Sequence, residues 1–197
     1  MHYYFTKYPY LQYPFKDFDG QYFGFSVPPE LLVREFYERF KIVPKTFFDC
    51  GAATGEIVYR AEKIGLKATG IDIKKFPYQN ENLKKLFVDG KIQIKSILDC
   101  EPIKADLVFC NGILTYLTES ELPRALNKFT NCKMLVAIHN TTEDEVAAKK
   151  QGDILPTFNQ PRLIKPNDWW IEKFIQNGFD TEYNGKTRCF YSTPKTR

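Results

Sequence analysis

The 197-residue sequence predicts an α/β protein built on a doubly wound, mostly parallel sheet, and three observations support this fold class. A strand, a glycine turn, a helix and a second strand follow one another between Thr46 and Ile73, which is half of a nucleotide-binding sheet. Residues 105–110 are almost continuously apolar, as is typical of a parallel strand buried on both faces. Residues 179–183 and 188–192 flank an Asn-Gly turn and predict an antiparallel hairpin.

Local patterns predict the other elements of the first half of the chain. Residues 28–40 begin with prolines and continue with apolar residues at helical spacing, so they predict the first helix. A weaker helix over 77–88 precedes a third strand over 92–94. No helix fits between Asp99 and Lys104, so we expect a short connection to the fourth strand.

The second half of the chain alternates helices and strands in the same way. The sequence Thr118–Glu121 predicts a capping box that opens a helix, and residues 133–138 predict the fifth strand. A second capping box predicts a short helix over 142–150. Residues 166–177 predict the last helix, which ends at Gly178.

The composition is that of a soluble globular protein, with 43% apolar residues, 26% charged residues and a net charge of +4. This charge is spread along the chain, so it does not by itself predict nucleic-acid binding. The five cysteines are odd in number and show no CxxC spacing, so we expect reduced core thiols in a cytoplasmic protein and no metal centre. The longest apolar run, 134–138, is too short to cross a membrane, and no signal peptide is visible.

Two acids at strand ends, with two glycines between them, define a candidate ligand site. Gly51 and Gly55 bracket a turn where a side chain would keep the backbone away from a ligand. Asp72 ends the second strand 21 residues after Gly51, where a carboxylate can accept hydrogen bonds from both hydroxyls of a ribose. Asp49 ends the first strand, where it would repel a pyrophosphate and suits a ligand with a cationic amino group.

A dinucleotide fits this site poorly. Its glycine fingerprint, counted from Gly51, requires glycine at position 53 and glycine or alanine at position 56, but the chain has Ala53 and Glu56. A nicotinamide oxidoreductase is therefore the least favoured of the functions that the fold class allows.

The pattern Asp49-x-Gly51-x-x-x-Gly55, with Asp72 downstream, resembles motif I and the following acid of class I S-adenosylmethionine-dependent methyltransferases. The Asp-Trp-Trp run followed by Gly-Phe, over 168–179, is similar to the generic small-molecule branch of that family. The resemblance covers the chain from the first predicted helix to the final hairpin. It implies a seven-stranded sheet in the order 3-2-1-4-5-7-6, completed by the antiparallel C-terminal hairpin. It also implies S-adenosylmethionine as the cofactor.

The resemblance further implies which residues contact the cofactor. Asp49 and the glycine turn would hold the methionine end, Asp72 the ribose, and Ser96 with Ile97 the adenine; Ser96 stands where many family members carry an acid. The segment after the fourth strand would face the transferred methyl group. The implied cofactor-binding residues are Asp49, Gly51, Ala52, Ala53, Gly55, Asp72, Ile73, Ser96, Ile97, Asn111, Gly112 and Ile113.

On the acceptor side, His139 ends the fifth strand and is the candidate general base, because its ordinary pKa near 6.5 suits that task. Tyr116 and Tyr22, together with His139, are the candidate substrate-binding residues. A structural role for His139 and a core position for Tyr116 are the alternatives. The fourth strand is followed by neither the Asn/Asp-Pro-Pro-aromatic tetrad nor the Pro-Cys pair of the DNA-methylating relatives, which disfavours a nucleobase acceptor.

The resemblance leaves residues 1–27 unmatched, so we expect an N-terminal arm followed by a cofactor-binding domain over 28–197. Eleven of the first 25 residues are Phe or Tyr. Such an arm can pack its rings on the sheet edge or form a lid that closes over cofactor and substrate. Stacking on nucleobases is the least favoured use, since few basic residues accompany the rings.

The sequence thus favours a methyltransferase with a small or still unidentified acceptor. Two alternatives keep the same fold and cofactor. One is a cofactor-binding partner subunit that transfers nothing, and the other is different chemistry on the cofactor, such as cleavage of its sulfonium.

Overall fold

The computed structural model describes residues 27–76, 80–139, 141–143, 163–185 and 187–195. The predicted N-terminal arm, including Tyr22, therefore lies outside the described residues except for Val27. The short helix predicted over 142–150 lies outside them beyond residue 143.

Five helices surround the sheet in the described part of the chain. Three of them start or end at a residue suited to a helix terminus: Pro28 precedes the first helix, Asn80 accepts a hydrogen bond from the Leu83 N–H at the start of the third, and Gly178 follows the last at positive φ. The helices are α1 (Pro29–Phe40), α2 (Glu56–Lys63), α3 (Glu81–Val88), α4 (Leu122–Asn127) and α5 (Asn167–Gln176).

Seven strands form one sheet whose order, β3-β2-β1-β4-β5-β7-β6, confirms the predicted arrangement. The first five strands are parallel, and β7 runs antiparallel to both β5 and β6. The strands are β1 (Thr46–Cys50), β2 (Lys67–Asp72), β3 (Ile92–Ile94), β4 (Leu107–Asn111), β5 (Met134–Ile138), β6 (Phe179–Asn184) and β7 (Cys189–Pro194).

Apolar side chains pack on both faces of the sheet. One cluster joins α1, α2 and α3 to the sheet, with Phe36, Val58 and Leu83 wholly buried. The other joins α4 and α5 to the opposite face through residues such as Phe129 and Trp170. Every residue of β5 is buried, as expected for a central parallel strand.

The connection from β3 to β4 contains no helix, as the sequence predicted. Residues 95–106 cross the sheet as turns and extended backbone, and Asp106 accepts hydrogen bonds from the backbone N–H groups of Lys45 and Thr46. In the described part of the chain, one face of the β1–β3 half of the sheet therefore has no helix over it.

No helix in the described ranges is long and apolar enough to cross a bilayer.

Candidate functional site

The candidate site lies at the carboxyl ends of β2, β1 and β4, which are neighbours in the sheet. The chain winds outward from β1 to β3 in one direction and continues from β4 in the other, so the order reverses between β1 and β4. In open α/β sheets this reversal opens a crevice at the carboxyl ends of the strands, where ligands bind. Asp49, Asp72 and Asn111 all lie at this edge.

Asp49 is a buried carboxyl group without a hydrogen-bond partner among the described residues. It is only 3% exposed, and its side chain accepts no hydrogen bond from the described residues. Burial, together with the charge of nearby Asp72, raises the pKa of Asp49 to about 7. A carboxylate in this position is costly unless a ligand supplies hydrogen bonds or an opposite charge.

Asp72 is equally buried but has backbone partners. Its Oδ2 accepts the Ala53 N–H at 2.8 Å, and its Oδ1 accepts the Lys74 N–H at 3.1 Å. The first of these bonds ties the glycine turn to the end of β2. Because a carboxylate offers about four acceptor positions, two remain for a ligand.

The turn itself follows a tight path against β2 and the segment after β4. Its residues Gly51, Ala53 and Gly55 all have positive φ, of 93°, 46° and 90°. The N–H groups of Gly51 and Ala52 both donate to the Ile71 carbonyl, at 2.8 and 2.9 Å. Ala53 thus adopts a backbone conformation that glycine would adopt with less strain.

The glycines of the turn also lie so close to neighbouring side chains that a Cβ would collide with them, which is a second reason why glycine is needed at these positions. A Cβ on Gly51 would lie 2.3 Å from Cγ1 of Ile113, and one on Gly55 would lie 2.5 Å from Cδ1 of Ile92. Glycine at these positions lets the turn approach the β4 segment and β3. Close approach to a ligand, which the sequence predicted, stays a prediction.

A third glycine, Gly70 in β2, was not among the predicted site residues. A Cβ there would lie 2.8 Å from the Asp49 carbonyl oxygen and 2.9 Å from Cβ of Ala52. Gly70 therefore allows the end of β1 and the turn to lie directly against β2. The signal was present in the sequence, because a glycine inside a strand often marks a close backbone approach.

Three further predicted cofactor residues follow the ends of β2 and β3, and two of them, Ser96 and Ile97, were predicted to contact the adenine. Ile73, directly after Asp72, is 72% exposed, whereas the side chain of Ile97 is buried. Ser96 Oγ accepts the Leu98 N–H at 3.2 Å, so this hydroxyl already caps a turn and retains its proton for donation.

The segment after β4 is held against β5. The Gly112 N–H donates to the Ile138 carbonyl at 2.8 Å, and the Thr115 hydroxyl donates to the Gly112 carbonyl at 2.6 Å. Tyr116 is 44% exposed, so of its two predicted roles the core position does not apply.

His139 lies where it was predicted, after β5, but its surroundings argue against the predicted role of general base. The imidazole is 3% exposed and stacks on Trp170 with ring centroids 4.0 Å apart; Phe174 and Phe190 surround it further. Burial lowers its pKa to about 3, and neither ring nitrogen has a hydrogen-bond partner in the described structure. A neutral ring enclosed by aromatic side chains favours the structural alternative.

The structure thus brings most of the predicted cofactor residues to one edge of the sheet. Asp49, Asp72 and the turn meet the segment after β4, while Ser96 and Ile97 follow the neighbouring β3. Tyr22 lies outside the described residues. No group of three or more potential metal ligands was found in the described ranges.

No protein-family model matches the chain, and no curated protein matches its sequence. Solved structures do match. The sugar N-methyltransferase KedS8 from Streptoalloteichus sp. ATCC 53650 superposes with a TM-score of 0.67 at 14% identity over 90% of each chain. An O-methyltransferase family protein from Burkholderia thailandensis has a TM-score of 0.57 at 16% identity over 82% of this chain. Human N-acetylserotonin methyltransferase, in complex with SAM, has a TM-score of 0.57 at 17% identity over 85% of this chain.

These likenesses establish the fold, which is that of class I methyltransferases. The chain spans about half the length of two of the matched proteins, namely 53% of the O-methyltransferase family protein and 52% of the human enzyme.

Proposed function

We propose that the chain is an S-adenosylmethionine-dependent methyltransferase that acts on a small acceptor. The observation that carries this proposal is the buried carboxyl group of Asp49, which has no partner among the described residues and lies beside Asp72 at the crevice of a class I methyltransferase fold. An amino acid ammonium bound there would compensate the buried charge.

The residues at the crevice fit S-adenosylmethionine. Asp49 would pair with its amino group, and the two unused acceptor positions of Asp72 would take the ribose hydroxyls. The exposed side chain of Ile73 offers an apolar surface to the adenine, and the Ser96 hydroxyl can still donate a hydrogen bond. When bound, the cofactor supplies an activated methyl group on a sulfonium.

With an activated donor, the protein needs mainly to position the acceptor and exclude water. The segment Asn111–Ile113 and the exposed ring of Tyr116 are our candidates for the acceptor side. His139 is not our candidate for the general base, because its neutral ring is enclosed by Trp170 and its neighbours.

A small acceptor is supported by the names of two matched proteins, one a sugar N-methyltransferase and the other an N-acetylserotonin methyltransferase. A nucleic-acid acceptor is disfavoured because the sequence after β4 carries neither signature of the DNA-methylating relatives.

We further propose a cytoplasmic location, consistent with the five buried free thiols. The arm over 1–27, with Tyr22, is proposed as a cover for the site. A non-transferring subunit and sulfonium cleavage have no observation in their favour.

Titration calorimetry with S-adenosylhomocysteine tests the cofactor assignment. Asp72→Ala should weaken binding about ten- to a few-hundred-fold, because hydrogen bonds to a charged group contribute about 1.5–3 kcal/mol each. Asp49→Asn should weaken it at least about tenfold. Asp180→Asn, at an exposed position in β6, is the matched control and should bind like the wild type.

Unchanged affinity in both site variants would refute the cofactor assignment, and preferential binding of a nicotinamide dinucleotide would replace it. Methyl transfer from labelled S-adenosylmethionine to a panel of amines, phenols and sugars then tests activity. Breakdown of the cofactor without any acceptor would instead indicate sulfonium cleavage, and binding without turnover a non-transferring subunit.

A further inference from the structure

The described helices cover the β1–β3 half of the sheet on one face only. Helices α1, α2 and α3 pack on the first face. On the second face, residues 95–106 connect β3 to β4 without a helix. Parallel sheets occur almost exclusively with both faces covered. On this face the described residues provide no helix, and the connection itself contributes Ile97, Cys100 and Ile103 to the cluster that buries Ile71.

A cavity of about 500 Å³ lies on this open face. Side chains two residues apart along a strand share a face, and the register places Phe48 beside Thr69 and Ile71 beside Gln93. The strand residues that line the cavity on this face are Thr46 and Phe48 of β1, Lys67, Thr69 and Ile71 of β2, and Gln93 of β3, with Lys91 and Lys95 at its two ends.

The cavity carries an excess of positive charge. Lys67, Lys95 and Lys104 line it and form no ion pair with any described residue, whereas Lys91 pairs with Glu62. Among the lining residues, all of which the structure describes, Glu101 is the single acid. Lysines gathered without counterions attract an anionic partner and repel a cationic one.

The floor and the width of the face narrow the choice of partner. Between the lysines the cavity is lined by the half-buried ring of Phe48 and by the mostly buried Ile71 and Ile103. This apolar surface calls for an apolar side chain beside the negative ones. From β1 to β3 the face spans two strand spacings, about 10 Å, which is the diameter of one α-helix with its side chains. The lining contains no arginine, and its aromatic rings are the buried Phe47 and the half-buried Phe48. It therefore offers little of the stacking surface that single-stranded nucleic acid uses.

We propose that this open face, defined by the lining residues of β1–β3 and residues 100–105, is a docking surface for an acidic, amphipathic helix of a partner protein. A second copy of the chain would place lysines against lysines. The N-terminal residues 1–26 carry two lysines and two aspartates, so they bring no excess of negative charge.

Fluorescence anisotropy tests the proposal with a labelled 18-residue helical peptide that presents glutamates and leucines on one face. The full chain should bind it, and the triple variant Lys67→Glu, Lys95→Glu, Lys104→Glu should bind at least about tenfold more weakly. The matched control, Lys63→Glu, Lys84→Glu, Lys85→Glu, makes the same change of net charge on α2 and α3, and its affinity should change less than about twofold. Circular dichroism verifies that all three proteins are folded.

A second measurement uses the wild-type chain alone. Lysine acetylation read by mass spectrometry should show that the peptide protects Lys67, Lys95 and Lys104 and leaves Lys63, Lys84 and Lys85 reactive. Absence of peptide binding, or equal loss in both variants, would overturn the proposal and leave the lysines as protection of the sheet edge. Tighter, groove-dependent binding of a labelled oligouridylate would overturn it in favour of nucleic acid.

Discussion

The carboxyl ends of β1 and β2 lie side by side and each carries one buried aspartate, yet the two acids have different surroundings. Asp72 accepts two backbone N–H groups, from Ala53 and Lys74. Asp49 accepts none from the described residues, and its pKa is raised to about 7. The difference is that backbone N–H groups satisfy Asp72 at the end of β2, whereas no described residue donates a hydrogen bond to Asp49 at the end of β1.

The largest effect on the free energy of unfolding is expected from the charge of Asp49 in the ligand-free protein. Its pKa rises from 3.8 to about 7 on folding, so between these values the folded chain binds more protons than the unfolded one. The contribution of Asp49 to stability is therefore most favourable below pH 4 and becomes unfavourable as the pH rises to 7. Asp49→Asn should remove this slope and stabilise the protein above pH 7 by an amount on the order of a few kcal/mol.

Urea unfolding at pH 5 and pH 8 measures this difference, with Asp180→Asn as the exposed control. If the wild type and Asp49→Asn lose stability in parallel over this range, the contrast between the two acids does not hold.

A smaller effect is expected at Gly70, which allows the two strand ends to lie together. Gly70→Ala places a methyl group against the Asp49 carbonyl and Ala52, and such overpacking should lower the free energy of unfolding by about 1–3 kcal/mol. Gly185→Ala is the matched control, because the nearest atom to a Cβ added there, Cε1 of Tyr183, lies 4.0 Å away. Equal midpoints for the two variants in chemical denaturation would contradict the close approach.

The smallest effect on the free energy of unfolding is expected in the turn whose Ala53 N–H donates to Asp72. Ala53 has a φ of 46°, a conformation that costs an L-residue about 1–2 kcal/mol, while glycine costs about 0.5–1 kcal/mol in chain entropy. Ala53→Gly should therefore raise the free energy of unfolding by up to about 1 kcal/mol. Ala61→Gly in α2 should lower it instead, since that alanine lies inside a helix. The same sign for both variants in thermal unfolding would show that the turn is not strained.

Much of the fold was predictable because its signals are local. The strand over 92–94 was predicted at its observed bounds, and the absence of a helix between Asp99 and Lys104 followed from the few residues available there. Asp49 and Asp72 were recognised because each directly ends an apolar strand, and parallel strands bring their carboxyl ends to one edge.

The environment of the same side chains could not be predicted in this way. His139 was expected to act as a base because of its place after β5, but Trp170 from α5 and Phe190 from β7 enclose it. Those residues follow His139 by dozens of positions, so no local pattern reports the contact. The Ser96 hydroxyl, likewise, is engaged in a turn that only the folded backbone reveals.

For this protein, the sequence alone determined the order of the elements, the strand ends and the two acids of the crevice, because periodicity, glycine and proline act over a few neighbouring residues. The tertiary structure decided which acid has partners among the described residues, how deeply the imidazole is enclosed and which face of the sheet the described helices cover. Burial and hydrogen bonding are set by segments far apart in the chain, and these two terms govern the charge state of each group.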